Sequence, residues 1–514
     1  MLIQCRPLPT IIIAGGGAAG FMTAAVLGKQ LQGKWCVRCI HSSKMGFIGV
    51  GESNQYATRN IMQYLGLEDK DWMPKCNATY KLGIAFEGWS EVAKQYYYPF
   101  GDIPDNGYDY NTFFTLANLF PDKVKYEDFA RYAAKNTRFL ENNCISSEDW
   151  DFKGKTSYHF DNALMAKMMY DIAVGYGVEF IDDEIVDAPL VPKEGGEYGI
   201  DFLVTKEGFR YFADLYIDCT GFKSLLLGKA LGTPYTSYSD TLINNRAIFC
   251  RLPYKNKKKQ LKNYTNIVSL KNGWCGEIPL WNEMGLGYVH STKFATEEEI
   301  EEEFREFVKD KYGVKVKEFK FLPFKCGGHE KAWVKNVVAV GLSFGFIDPL
   351  EATGLALTAR NILALVEVFS RSSNPNNFDR AMYNHSVVSE TKNQKSFVEL
   401  HYCTSHRDDT PYWNYVTNAI EYPWEEKDYQ MSMNMSVVDR NYSSQYFGGL
   451  PFILAGSGYG PYSRGYEAAV TDKTEEVYGD YLRDWREKDM RMNNEMKGFY
   501  NSAEYLKHYI YNRR

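Results

Sequence analysis

The chain has 514 residues, 45% of them hydrophobic and 16% aromatic, and a formal net charge of −6. Such a chain can bury a large core spread over two or more structural modules. Its acidic balance, with no basic block or stripe, argues against nucleic acid as a partner. The ten cysteines are scattered, and no secretory pattern precedes them, so reduced thiols and a cytoplasmic setting are the expectation.

In chain order, Thr10–Gly28 (TIIIAGGGAAGFMTAAVLG) is uncharged and about as long as a membrane span. Three consecutive glycines interrupt it, so it is read instead as a strand, a tight turn and a helix, and no membrane is expected as a partner. A second strand follows in WCVRCIH. It holds a lone C-x-x-C, Cys36 and Cys39, with no second pair at zinc-like spacing, so no metal site is expected there. Ser42–Asn54 is a glycine-rich loop. Residues 96–142 mix aromatic and polar types and read as an inserted, partly helical module. DNALMAKMMYDIAVGYG reads as a helix capped by Asp161 or Asn162. GIDFLVTKEGFRYFADLYIDCTG reads as strands with a hairpin. TEEEIEEEFREFVKDKYG reads as a surface helix with Thr296 as its cap. WVKNVVAVGLS reads as one buried strand before a glycine turn, and GLALTARNILALVEVFSR as the helix after it. From about Phe378 the pattern is mostly helical. Interleaved strands and helices indicate an α/β chain with inserted modules.

The stretch YKLGIAFEGW, Tyr80–Trp89, alternates as a strand would. Tyr80, Leu82, Ile84 and Phe86 form one apolar face. Lys81 falls on the other, beside Gly83 and Ala85, residues too small to cover it. Either the lysine is solvated on a half-exposed strand, or it looks into a cavity that its small neighbours leave open.

Gly15, Gly17 and Gly20 form G-x-G-x-x-G at a strand-to-helix junction. Gly15 permits the tight turn, Gly17 lets a pyrophosphate approach the backbone, and Gly20 allows close helix–strand packing. The acidic residue that usually ends the second strand is absent, with His41, Ser42 or Ser43 in its place. Two later segments favour FAD over NAD: the strand ending in Asp218, and the strand–turn–helix NVVAVGLSFGFIDPLEATGLALTARN. There is one such glycine motif, hence no second nucleotide site, and electrons are expected on reduced flavin from a separate reductase.

Together GGGAAG, GFIGVGES, ATYKLGIAFEGW, SYHFDNALMA, LYIDCTGF, GWCGEIPL, GYVHSTKF, NVVAVGLSFGFIDPLEATG and LHYCTSHRDDTPYW resemble the flavin-dependent halogenases of the tryptophan-halogenase type. The likeness runs from about residue 10 to about residue 415. It implies a Rossmann-like, glutathione-reductase-type FAD domain within the wider FAD monooxygenase-like superfamily. It divides the chain into a core over 1–370, with substrate-module insertions at about 90–155 and 230–330, and a mostly helical substrate-binding region over 371–514. It also implies an enzyme using reduced FAD (FADH2), oxygen and halide (chloride, bromide or iodide) to make hypohalous acid. That acid travels through a tunnel to a lysine and halogenates a small, electron-rich aromatic substrate. The lysine matches Lys81, as a hydrogen-bond donor or a haloamine. The second catalytic residue matches Glu351, and the halide position matches Thr353 and Gly354. The FAD-binding positions are Gly15, Gly17, Ala18, Ala19, Gly20, Gly51, Glu52, Asp218, Gly341 and Gly354. Relatives commonly form homo-oligomers.

Two departures stand out. The family's W-x-W-x-I-P motif keeps Trp274, Ile278 and Pro279 but has Gly276 in place of the second tryptophan, and Ala352 stands where many relatives have serine. Loss of the indole weakens the case for halogenation over hydroxylation, and the gap is expected to admit bromide or iodide. The region beyond residue 415 matches poorly, leaving phenols, indoles and tryptophan open as substrates. An FAD-dependent aromatic monooxygenase and a non-catalytic flavin-binding relative are the competing readings.

Overall fold

The computed structural model describes residues 8–44, 46, 51–90, 94–101, 113, 116–117, 120–134, 136–146, 156–192, 198–422, 450–458 and 474–512. Residues 47–50 of the run GFIGVGES, residues 102–112 and 147–155 of the expected insertion, and residues 423–449 and 459–473 of the substrate-binding region lie outside this description. The chain forms two units, one of residues 1–78, 160–243 and 324–393, the other of residues 79–159, 244–323 and 394–514.

The first unit is built on a six-stranded sheet in the order 333–334, 337–339, 215–218, 10–14, 36–41 and 179–182. Its neighbours run parallel apart from the first pair. The uncharged segment at the start does divide into a strand, Thr10–Ala14, and a helix, Ala18–Leu31. Ile11, Ile12 and Ile13 are wholly buried because this strand is central and covered on both faces. The helix Asn162–Gly175 packs against Ala18–Leu31 and is capped by Asp161, whose carboxylate accepts from the N–H groups of Ala163 and Leu164. WVKNVVAVGLS is not one strand. It is the antiparallel pair Trp333–Val334 and Val337–Ala339, reversed at Lys335, whose φ is +55°. Cys36 and Cys39 lie three apart on a strand, so they face opposite sides. Among the described residues no three ligand-type side chains cluster as a metal site. One described helix, Thr353–Arg371, is long and apolar enough to cross a membrane, and 61% of its most apolar window is buried in the protein.

The second unit is built on a seven-stranded sheet in the order 320–323, 246–253, 283–290, 273–279, 265–270, 83–87 and 95–99. Pairing is antiparallel apart from 265–270 with 83–87. The helix Glu297–Tyr312 sets Ile300, Phe304 and Val308 into a core with Ile248, Cys275, Leu286 and Tyr288. Thr296 and Glu299 close a reciprocal capping box at its start. Tyr80–Trp89 departs from the single strand expected of it. It breaks at Leu82, whose N–H donates to the Asn263 carbonyl and whose carbonyl accepts from the Phe100 N–H. Thr79–Lys81 pairs with His159, Tyr158 and Ser157, while Gly83–Glu87 joins the large sheet. Both faces are buried up to Phe86, so the alternation marks two different neighbours rather than core and solvent.

Candidate active site

In the first unit the glycine turn is explained by what a side chain would strike. A Cβ on Gly20 would sit 1.9 Å from the Gly15 carbonyl oxygen, and one on Gly15 would sit 2.3 Å from the Cys219 carbonyl oxygen. Gly15 also has φ +114°, a conformation that L side chains rarely adopt. A Cβ on Gly17 would meet nothing within 4 Å. Gly17 caps the helix Ala18–Leu31 without a side-chain bond, so the N–H groups of the first turn, at Ala18 and Ala19, have no side-chain cap. Open space in front of an uncapped helix N-terminus fits an anionic pyrophosphate, and these residues therefore fit a dinucleotide such as FAD.

Gly341, at φ +73°, lies at the next strand end, where a Cβ would press on Thr358 and Ala19. Asp218 ends the strand beside Thr10–Ala14, but its carboxylate is taken up locally. It accepts from the N–H groups of Thr220, Leu226 and Leu227 and from the Thr220 hydroxyl, and so shapes the turn after the strand. Gly51 has φ +138° and precedes Glu52, whose carboxyl is pushed up to about 8 by burial and then by Asp161. An acid does stand near the end of Cys36–His41, though on the neighbouring strand. Asp182 is in register with His41 and accepts from the Ser43 N–H at 2.8 Å. Sequence reading missed it because strand adjacency is not visible in a linear motif.

Also in this unit, Pro349–Glu351 is a short turn leading through Ala352, at φ +57°, into Thr353–Arg371. Glu351 is 1% exposed, and its carbonyl accepts from Gln55 Nε2 at 2.6 Å. The Thr353 hydroxyl turns back to the carbonyls of Ile347 and Asp348. Ala352 gives this helix no side-chain cap, so the anion-compatible groups at Thr353 and Gly354 are backbone N–H groups.

In the second unit Lys81 is 0% exposed, with Nζ 4.9 Å from the centroid of the Phe100 ring. The solvated-lysine reading is therefore excluded. Beside it lies a hydrogen-bonded relay. The Thr79 hydroxyl donates to the Pro279 carbonyl at 2.5 Å, so its oxygen accepts from His159 Nδ1 at 3.0 Å. His159 Nε2 then accepts from the Thr265 hydroxyl at 2.9 Å. Burial, and then the charge of Lys81, hold the imidazole pKa well below its ordinary value, so His159 is neutral. Pro279 belongs to Gly273–Pro279, the strand that carries WCGEIP. Trp274 donates its indole N–H to the Tyr402 hydroxyl at 2.9 Å, and Ile278 is half-buried on the same strand face. A Cβ on Gly276 would make only ordinary contacts, 3.6 Å to Trp274 and 3.8 Å to Ile267. Lys81 and Glu351 belong to different units.

Solved structures similar to the whole chain include flavin-dependent halogenases. VirX1 matches with a TM-score of 0.88 and 32% identity, over 98% of this chain and 100% of that one. Xcc4156, a flavin-dependent halogenase from Xanthomonas campestris, matches with a TM-score of 0.86 and 25% identity, over 98% and 99%. The 7-chloro-L-tryptophan 6-halogenase KtzR of Kutzneria sp. (strain 744) is 35% identical over 426 residues, 78% of this chain and 81% of its own. The tryptophan halogenase family model matches residues 10–470, and the chain belongs to that family. It is an enzyme, a flavin-dependent halogenase with FADH2 and halide as its cofactors.

Proposed function

We propose that this halogenase directs hypohalous acid onto an electron-rich aromatic ring through Lys81, with Glu351 as the proton acceptor. Reduced FAD, when bound, supplies with oxygen the oxidising power that converts halide to hypohalous acid. Gly15, Gly17, Ala18, Ala19 and Gly20 cradle the pyrophosphate, with Gly51, Glu52, Asp218, Gly341 and Gly354 around the rest of the cofactor. The backbone N–H groups of Thr353 and Gly354 hold the halide. Lys81 Nζ engages the hypohalous acid, either donating a hydrogen bond that sharpens the halogen as an electrophile or carrying the halogen as a haloamine. Glu351 takes the proton released when the substituted ring regains aromaticity. The observation that carries this reading is the complete burial of Lys81 beside a neutral histidine.

The names of the curated relatives make tryptophan, or tryptophan already chlorinated, one candidate substrate. Indoles and phenols, as electron-rich aromatic rings, are the other candidates, and the family model's match to residue 470 carries the likeness past the limit near residue 415 expected from the sequence. A separate flavin reductase supplies FADH2, the setting is cytoplasmic, and the enzyme self-associates. The test combines the protein, FAD, a reductase, NADH and catalase with chloride, bromide or iodide and a panel of phenols, indoles and tryptophan, read by mass spectrometry. Halogenated product that disappears in Lys81→Ala, with flavin oxidation retained, is the expected result. A product gaining one oxygen instead would favour the monooxygenase reading. Gly276→Trp is expected to lower the iodide-to-chloride rate ratio, and an unchanged ratio overturns the role given to the gap at Gly276.

A further inference from the structure

In the second unit a lysine sits over an aromatic ring outside the site described above. Lys257 Nζ lies 3.0 Å from the centroid of the Trp281 ring system. Trp281 in turn stacks on Tyr511, with centroids 4.1 Å apart and planes at 11°. All three side chains are half-exposed. The neighbouring Lys258 is tied to the segment just before Tyr511: it pairs with Glu504 at 2.8 Å, and Asn501 Nδ2 donates to its carbonyl at 3.2 Å. The amine is unusual for a half-exposed lysine, because burial and then the nearby Lys507 lower its pKa to about 8. A useful fraction is therefore the neutral, nucleophilic amine near neutral pH. Trp281 stands two residues past Pro279, whose carbonyl is bonded by Thr79, itself two residues before Lys81. The Thr79–Pro279 hydrogen bond thus ties the chain just before Trp281 to the strand that carries Lys81.

We propose that Lys257 and Trp281 form a self-halogenation site, where hypohalous acid escaping the enzyme is captured by the amine and passed to the indole. This rests on the proposed production of hypohalous acid. In the first step the Lys257 lone pair attacks the halogen. The O–X and one N–H bond break, N–X forms, and water leaves. In the second step a carbon of the Trp281 ring attacks that halogen. The N–X electron pair returns to nitrogen, C–X forms, and the ring proton replaces the halogen on nitrogen, leaving lysine and halotryptophan. No further oxidant is needed. The site would consume unused oxidant when aromatic substrate is scarce and leave a covalent record of it.

The test has two arms, each run on wild type, Lys257→Met and Lys257→Arg, with matching thermal melts showing that the variants fold. Arginine keeps the cation–π contact but stays protonated, so it cannot form the haloamine. In one arm, substoichiometric hypobromite is added to the flavin-free protein. In the other, the enzyme turns over with FAD, reductase, NADH, bromide and catalase but no aromatic substrate. Peptide mapping then reads bromination at each aromatic residue. The expected result is bromotryptophan at position 281 in both arms, reduced on the order of tenfold or more in both variants. Unchanged bromination of Trp281 in either variant overturns the proposal. So does labelling in which the more exposed Tyr198 and Tyr235, 57% and 43% exposed, precede it. Bromination from added hypobromite with none during turnover also overturns self-halogenation, and locates the failure in the release of hypohalous acid rather than in the lysine–tryptophan pair.

Discussion

The cofactor turn of the first unit and the lysine site of the second are built from opposite materials. The turn is made of backbone and depends on missing side chains: Gly15 and Gly20 are small because carbonyl oxygens already occupy the places their Cβ atoms would take. The lysine site is made of side chains, and its relay from Pro279 through Thr79 and His159 to Thr265 gathers residues from three distant parts of the chain. A site of the first kind is set by local sterics. A site of the second kind exists only once the sheet has assembled around it.

That contrast can be broken most forcefully inside the turn itself. Gly20→Ala puts a methyl 1.9 Å from a carbonyl oxygen that cannot move aside, and should cost at least about 3 kcal/mol in denaturant unfolding, with loss of FAD binding. Gly17→Ala, facing open space, should leave the unfolding midpoint in place yet weaken FAD binding about tenfold in a fluorescence titration. If both variants lose stability alike, the steric division drawn between the two glycines is wrong.

In the second unit, Gly83→Ala would meet the Tyr98 carbonyl at 2.5 Å and Leu140 at 2.9 Å. It is expected to destabilise by about 2 kcal/mol and to lower halogenation, because Lys81 is two residues away. The relay can be tested by pH. The folded pKa of His159 lies well below the ordinary 6.5, so the unfolded chain binds the additional proton and stability falls as pH drops below 6.5. Its share of that slope approaches about 1.4 kcal/mol per pH unit and levels off only below the folded pKa. Subtracting the stability–pH curve of His159→Gln isolates this share, because His41 and His290, also lowered by burial, contribute equally to both proteins. A difference curve that stays flat under acid would remove the neutral histidine from the account. The smallest effect is expected far from either site. Thr296→Ala, which opens the capping box of Glu297–Tyr312, should cost about 1 kcal/mol and leave halogenation unaltered.

Features set by short-range interactions are legible in the sequence in both units. The strand–turn–helix at Thr10–Leu31 and the caps at Asp161 and Thr296 rest on interactions within a few residues, and the structure has them. Local reading faltered where distant neighbours intervened. Trp333–Ala339 became a hairpin, with Asn336 at its turn accepting from the Ile200 N–H and donating to the Ile200 carbonyl. Asp182 lies next to His41 only because their strands are in register.

The sequence alone determined the glycine positions, the helix caps and the presence of a lysine among small residues, because these follow from sterics and hydrogen bonding over short spans. Only the tertiary structure decided that Tyr80–Trp89 splits at Leu82, that Lys81 is fully buried beside a neutral His159, and that Lys257 lies over Trp281. Those features depend on which distant strands and loops meet and exclude water, and that is a property of the assembled packing rather than of any local pattern.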